Sequence, residues 1–241
     1  MSNFLFGIFP YIALTVMILG SIVRYETDPF SWKSKSSQML RKKQFVLGSV
    51  LFHVGVIVIF FGHLFGLLVP LPIYSWLGIS HETKQVMAMT VGGIAGVMAL
   101  IGGLILLQRR LSDPRIRALS SFGDHFVLVI LVIQLVLGLG TIIVSLNHLS
   151  GDEMVKLMRW AQSIVYFQSN PAAHLEGVNV LFKLHIFLGL IIFIAVPFTR
   201  LVHIFSVPIR FVWRPGYQIV RSRRGAKPAA SGLDPMSRRS N

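Results

Sequence analysis

Cysteine is absent from the 241 residues of this chain. Its absence excludes structural disulfides, thiolate-held iron–sulfur clusters and the CxxCH motif that attaches haem covalently. Acidic residues are scarce too, since nine Asp and Glu stand against 23 Lys and Arg. None of the nine lies well inside an apolar run, whereas proton-coupled transporters usually bury acids in the membrane. This disfavours a proton-coupled transporter, while a passive membrane anchor with no cofactor stays open as an alternative.

Five long apolar runs dominate the sequence, which is 54% hydrophobic and has a mean hydropathy of +0.69. A helix needs about 20 apolar residues to cross a bilayer, and each run supplies them. We predict an all-α integral membrane bundle of five transmembrane helices. The predicted spans are residues 4–23, 45–68, 86–107, 125–146 and 184–204.

Basic residues give the chain a net charge of +14 and concentrate on one side of the predicted membrane. Nineteen of the 23 Lys and Arg fall in the first and third loops or from Arg200 onward. Because basic loops stay in the cytoplasm, we predict the N-terminus outside and the C-terminus in the cytoplasm. The charge then marks topology and gives no reason to expect nucleic acid. Residues 1–224 are the predicted membrane domain, and residues 225–241 a disordered cytoplasmic tail.

Four histidines lie at membrane depth. His53 and His63 are in residues 44–80, which carry no charge, while His185 and His203 bracket a run whose only charge is Arg200. Titratable rings are costly inside a bilayer and usually mark function. Two neutral imidazoles fill both axial positions of haem iron. The pattern predicts a membrane cytochrome with two b-type haems, and a hydrogen-bonded structural role is the alternative for any one histidine.

Membrane depth pairs these histidines. The second span runs outward and the fifth runs inward, so His63 and His185 should hold an outer haem, and His53 and His203 an inner haem. Treated as one helix, the fifth span separates its two histidines by about 27 Å on one face, against about 15 Å in the second span. Helix tilt would have to absorb this mismatch. Four further histidines at loops or span ends receive no ligand role: His81, His125, His148 and His174.

Haem propionates need cationic or hydrogen-bonding partners. Arg200, one turn before His203, is predicted to serve the inner haem, with further candidates in Arg109, Arg110 and Arg115. Glycines near the ligands could admit a flat macrocycle or could serve helix packing. They are Gly55, Gly62, Gly66 and Gly189.

The longest outer loop, residues 147–183, has apolar residues at helical spacing together with Trp160 and Tyr166. The spacing predicts a short amphipathic helix. It either lies on the outer leaflet or packs over the bundle as a cap.

Short segments along the whole chain carry a family resemblance. They are Ser37-Gln38-Met39-Leu40, Leu51-Phe52-His53-Val54-Gly55, Phe61-Gly62-His63-Leu64-Phe65-Gly66, Lys84-Gln85-Val86-Met87-Ala88-Met89, Arg109-Arg110-Leu111, Trp160-Ala161-Gln162-Ser163, Leu184-His185, Pro197-Phe198-Thr199-Arg200-Leu201-Val202-His203 and Ser206-Val207-Pro208. In this order they resemble the gamma (cytochrome b) subunit of membrane-bound respiratory nitrate reductase, from about residue 10 to residue 224. The tail after Arg224 is the clearest departure.

The resemblance implies a five-helix, di-haem quinol dehydrogenase subunit of the cell inner membrane. Quinol would be oxidised near the outer haem, where Lys84 matches a family lysine at the quinol site. Electrons would pass to the inner haem, then to an iron–sulfur beta subunit and a molybdenum-containing alpha subunit that reduces nitrate. The residues agree, because Lys84 is an isolated cation near the depth of His63 and could donate to a quinone oxygen. Its alternative is an interfacial lysine that snorkels to water.

Two expectations concern the complex. Residues 209–224, with Trp213 and Tyr217 as aromatic anchors, are predicted to dock a soluble electron-accepting subunit. Related haem b subunits serve sulfur, formate or hydrogen metabolism, and the sequence leaves that alternative open.

Overall fold

The computed structural model describes residues 2–32, 40–147 and 150–206, and within them the chain folds into helices with no strand. A π-helical turn, Phe4–Ile8, leads into the first α-helix. The α-helices are α1 Phe9–Thr27, α2 Lys42–Leu68, α3 Leu71–Trp76, α4 His81–Ser112, α5 Pro114–Ala118, α6 Phe122–Leu146, α7 Asp152–Val165 and α8 Val180–Ala195. Short 3-10 helices cover Pro29–Ser31, Pro171–Leu175, Val196–Phe198 and Arg200–Ser206.

Five of these helical segments are long and apolar enough to cross a membrane, which confirms the predicted fold class. They are Phe4–Thr27, Lys42–Leu68, His81–Ser112, Phe122–Leu146 and Val180–Phe198. The helices pack side by side in the order α2, α4, α6, α8 and α1. The two elements that carry the four histidines, α2 and the last span, are therefore separated within this order by α4 and α6.

Polar caps set the helix ends, so several helices extend beyond their apolar runs. Ser80 accepts a hydrogen bond from the backbone N–H of Thr83 and begins α4 five residues before the predicted span. Ser121 and Asp124 form a reciprocal capping box at the start of α6. Such caps satisfy the backbone N–H groups that a helix start leaves without a partner. Lys84 therefore lies on the first turn of α4.

The fifth span differs from the prediction. The α-helix ends at Ala195, and the chain continues as 3-10 turns through Val196–Phe198 and Arg200–Ser206. Pro197 explains the break, because proline has no N–H to donate and its ring clashes with the preceding helical turn. His185 and His203 thus lie on different elements, and the expectation that they share one helix face about 27 Å apart was wrong.

The helix predicted in the long loop is α7, and it packs against the bundle as a cap. Its buried face includes Met158, Trp160 and Ile164. The Trp160 indole N–H donates to the backbone oxygen of Phe6 at 2.9 Å, which ties α7 to the start of the first span. The amide of Gln162 donates to the backbone oxygens at the end of α2. Of the two alternatives for this loop, the structure therefore shows the cap.

Candidate functional site

The histidine rings form two pairs, and each pair has one ring on α2 and the other on the last span or the turn that follows it. The ring centres of His63 and His185 are 6.1 Å apart, and those of His53 and His203 are 6.3 Å apart. The four rings that membrane depth pairs are thus neighbours in the structure. His203 approaches His53 from the 3-10 helix Arg200–Ser206, whereas His185 approaches His63 from α8.

The separation of the rings fits two axial ligands of one iron. A metal–imidazole nitrogen bond of about 2.0 Å plus about 1.1 Å from nitrogen to ring centre places two opposed ring centres about 6 Å apart. Among the described residues, no group of three or more His, Cys, Asp and Glu side chains could hold a metal ion. A bare ion usually needs three or four protein ligands. Two ligands suffice where a macrocycle supplies the rest, so these pairs suit haem better than a free metal ion.

Backbone carbonyls set the ring orientation at three of the four histidines. Nδ1 of His53 lies 2.7 Å from the backbone oxygen of Ser49, and Nδ1 of His63 lies 2.9 Å from that of Ile59. Nδ1 of His203 bonds to the backbone oxygen of Arg200 in the same way. When Nδ1–H donates to a carbonyl, Nε2 keeps its lone pair free for a metal. The local helical backbone thus selects the tautomer that an axial ligand requires.

His185 is seated against α6. A Cβ at Gly138 would lie 3.0 Å from Cε1 of its ring, so the absence of a side chain there makes room for the imidazole. One turn earlier, the Gln134 amide nitrogen donates to the His185 backbone oxygen at 3.0 Å and lies 3.4 Å from its Nε2. Gln134 thus anchors the backbone of His185, and Gly138 leaves space for its ring.

The glycines near the ligands separate into two groups. A Cβ at Gly62 or Gly66 would meet nothing within 4 Å, so the α2 surface beside His63 is open. A Cβ at Gly55 would instead collide with the backbone of α4 at Ala95 and Ala99. Gly55 therefore serves helix packing. Only the open glycines leave room for a macrocycle beside α2.

Lys84 is buried, with only 7% of its surface exposed. Its ammonium donates to the backbone oxygen of Gly66 at 2.8 Å, lies 2.8 Å from the sulfur of Met158, and sits 3.7 Å above the centre of the Tyr74 ring. Burial raises the pKa of the Tyr74 phenol, whose hydroxyl donates to the Phe65 backbone oxygen at 2.7 Å. Snorkelling lysines reach for water, whereas this side chain is buried and contacts Gly66, which lies three residues after His63 on α2.

Three of the four arginines predicted as propionate partners contact the protein itself. Arg200 binds the Asp124 carboxylate, with Nη2 at 2.6 Å and Nε at 2.7 Å from one oxygen. Arg110 approaches the other oxygen at 3.6 Å. Arg109 donates to the backbone oxygen of Leu40. Arg115 is exposed on α5.

Sequence reasoning missed two residues that hold the turn bearing His203. Asp124 is one, and Arg24, which appeared only as a topological charge, is the other: its guanidinium donates to the backbone oxygens of Pro197 and Thr199. Pro197 itself was the available signal, because a break inside a membrane span leaves carbonyls that need partners. Nothing in the sequence shows which distant side chains supply them.

The remaining histidines lie elsewhere in the chain. His81 begins α4, His125 is in the first turn of α6, and His174 is in the 3-10 helix Pro171–Leu175. His148 lies outside the described residues, as do the predicted docking segment 209–224 and the tail 225–241.

Comparison with known proteins identifies the family. The profile of the nitrate reductase gamma subunit matches residues 2–223. The chain belongs to the nitrate reductase gamma subunit family. Its relatives include the respiratory nitrate reductase 1 gamma chain of Escherichia coli strain K12, which is 49% identical over 92% of this chain and 98% of that protein. The nitrate reductase gamma chain of Bacillus subtilis strain 168 is 41% identical over 92% of this chain and 99% of its own length.

Family membership confirms the resemblance drawn from the short motifs. Together with the five apolar helices, it makes this chain a multi-pass inner-membrane protein, a gamma chain of respiratory nitrate reductase of the cytochrome b type. The transporter and the passive anchor lose their support, as does a subunit of sulfur, formate or hydrogen metabolism.

Proposed function

We propose that this chain oxidises quinol at one face of the membrane and delivers the electrons to the other through two b-type haems. The observation that carries the proposal is the pair of ring separations, 6.1 Å for His63 and His185 and 6.3 Å for His53 and His203. Both match the spacing of two imidazoles on one iron. The positive-inside distribution of Lys and Arg assigns the first pair to the outer haem and the second to the inner haem.

Bound haem would supply a one-electron path between the two ends of the bundle. The four histidines would hold the two irons, two histidines to each, and would leave neither iron a free site for oxygen or another ligand. Nδ1 contacts keep the rings of His53, His63 and His203 oriented. The open surface at Gly62 and Gly66 would give the macrocycle room beside α2.

Lys84 is the proposed quinol-binding residue. Its ammonium is held by one backbone oxygen, one sulfur and one aromatic face. Three N–H bonds are available on an ammonium, and a thioether is a weak acceptor, so a quinone oxygen can replace Met158 as a partner. Quinol then loses two electrons and two protons and becomes quinone. Because Lys84 lies at the end assigned to the outside, the protons leave on that side while the electrons move inward.

The proposed partners are those that the family resemblance implies. An iron–sulfur beta subunit on the cytoplasmic face accepts the electrons, and a molybdenum-containing alpha subunit uses them to reduce nitrate. The basic loops on that face supply charge for docking, and the apolar outer surface of the bundle contacts membrane lipid.

Single histidine substitutions in the assembled enzyme test the proposal. His63→Ala and His185→Ala should remove the same outer haem and stop quinol oxidation. His53→Ala and His203→Ala should remove the inner haem, while quinol still reduces the outer one. His125→Ala is the matched control, because its ring bonds to the Ser121 backbone oxygen and has no ligand role.

The spectra decide between outcomes. If His53→Ala and His185→Ala removed the same haem, the pairing would be wrong. If all four variants kept two haems with unchanged spectra, these histidines would not be the ligands and the proposal would fail.

A further inference from the structure

His203 lies in a turn, residues 197–203, whereas the other three proposed ligands lie in regular α-helices. This turn therefore has less support from its own backbone hydrogen bonds. The α-helix has ended at Ala195, and Pro197 cannot donate a backbone hydrogen bond. A helix end leaves carbonyl oxygens without partners inside the helix. Pro197 is buried and the span ends at Phe198, so its carbonyl oxygen needs a partner from another part of the protein.

Arg24 supplies partners from α1. Its Nη1 donates to the backbone oxygens of Pro197 at 2.8 Å and Thr199 at 2.7 Å. Its Nε and Nη2 donate to the side chain and backbone of Ser31, at 3.0 and 2.9 Å. One turn earlier on α1, Gly20 leaves space for the proline ring, since a Cβ there would lie 2.9 Å from Pro197. A guanidinium has several N–H donors in one rigid plane, which lets a single side chain bind acceptors on Ser31, Pro197 and Thr199 together.

Asp124 holds the same turn from α6. One carboxylate oxygen accepts both Nη2 and Nε of Arg200, at 2.6 and 2.7 Å. The other accepts the Ser121 backbone N–H at 3.0 Å. Asp124 is only 7% exposed, and charge-assisted bonds of this kind are short and directional. The backbone oxygen of the same Arg200 accepts from Nδ1 of His203. A continuous set of contacts therefore runs from Asp124 through Arg200 to the imidazole.

We propose that Arg24 and Asp124 are positioning residues that clamp the turn of residues 197–203 and thereby hold the His203 ring opposite His53. The inference rests on the proposed function, in which this pair ligates the inner haem. Arg24 fixes the backbone of the turn and Asp124 fixes its side-chain anchor. Ligand geometries must be held within about 0.5 Å to function, and a short 3-10 turn does not provide that alone. Arg200 then acts through Asp124 as part of the clamp.

Substitutions in the whole enzyme complex test the clamp. Asp124→Asn weakens the hold on Arg200, and Arg24→Gln removes most donors to the turn. We expect each to shift the midpoint potential and the low-spin electron paramagnetic resonance signal of the inner haem, or to lower its occupancy. The outer haem should keep its spectrum and its reduction by quinol, which shows that the bundle has folded. Asp124→Glu should restore part of the inner-haem signal.

Arg24→Lys separates the clamp from a purely topological charge. It keeps the positive charge that the cytoplasmic side requires, but a lysine lacks the fork that joins Ser31 to Pro197 and Thr199. We expect it to resemble Arg24→Gln. Wild-type inner-haem spectra in Arg24→Lys would show that only the charge matters, and would overturn the role of Arg24.

A second ion pair on the cytoplasmic side provides the matched control. Arg41 and Asp113 are 2.9 Å apart and contact no histidine of either pair. Arg41→Gln and Asp113→Asn should leave both haem spectra unchanged. The proposal is overturned if the clamp variants behave like these controls, or if both haems are lost together. A wild-type protein without haem would refute the proposed function itself, and the clamp's ligand role with it.

Discussion

Replacing Gly138 by alanine tests whether binding of the outer haem depends on the space that α6 leaves for the His185 ring. The new Cβ would stand 3.0 Å from Cε1 of the imidazole. Carbon atoms pack best at about 3.5–4.0 Å. The ring would have to retreat by a few tenths of an ångström, a shift comparable to the tolerance of about 0.5 Å for a ligand site.

The size of the effect follows from the cost of overpacking. Forcing an extra methyl group into a packed site costs about 1–3 kcal/mol. Since each 1.4 kcal/mol is about a factor of ten in binding, retention of the outer haem should fall by about fivefold to about a hundredfold. The inner haem should keep its occupancy, because a Cβ at Gly138 would press on the ring of His185, which belongs to the outer pair.

Haem content and optical spectra of the purified complex give the measurement, with Gly93→Ala as control. A Cβ at Gly93 would lie 3.7 Å from Ile142, an ordinary contact, and the change to helix propensity is the same in both variants. Outer-haem content and spectrum in Gly138→Ala equal to those in Gly93→Ala would refute the reasoning.

Two further predictions concern the two ends of the proposed electron path, the quinol site and the segment that docks the soluble subunits. Lys84→Met should slow quinol-dependent haem reduction by about tenfold to a hundredfold, the value of one charge-assisted hydrogen bond of about 1.5–3 kcal/mol, with both haems still bound. Lys156→Met, an exposed lysine on α7, is the control, and equal rates in the two variants would return Lys84 to a structural role. Ending the chain before Arg210 should preserve insertion and haem spectra but release the soluble subunits, whereas ending it after Arg224 should change little. Retention of reductase on washed membranes by the shorter chain would remove the docking role of residues 209–224.

Hydrophobic runs predicted the five spans well, because a membrane helix forms its backbone hydrogen bonds within itself and is recognisable by its apolar composition. The helix ends were less predictable. α4 begins at His81, where Ser80 caps it, and so extends past its apolar run. Caps depend on single polar residues, which a hydropathy pattern does not weigh.

The neighbours of each histidine were predictable to different degrees. The depth of each histidine along two antiparallel spans was enough to predict that His63 lies near His185. It did not reveal the break at Pro197, because a proline near a span end is compatible with either a kink or a stop. Arg24 reaches residues more than 170 positions away, and Asp124 reaches one 76 positions away. Contacts at such separations depend on how the helices pack, and no local pattern encodes them.

The number of haems per chain tests the central claim most directly. Pyridine haemochrome analysis of the purified complex, referred to the amount of this chain, measures it and distinguishes b-type from covalently attached haem. Two histidine pairs and the absence of cysteine predict a ratio of two, all of b type. A ratio near zero, or a haem that stays attached to the polypeptide after extraction, would contradict the account.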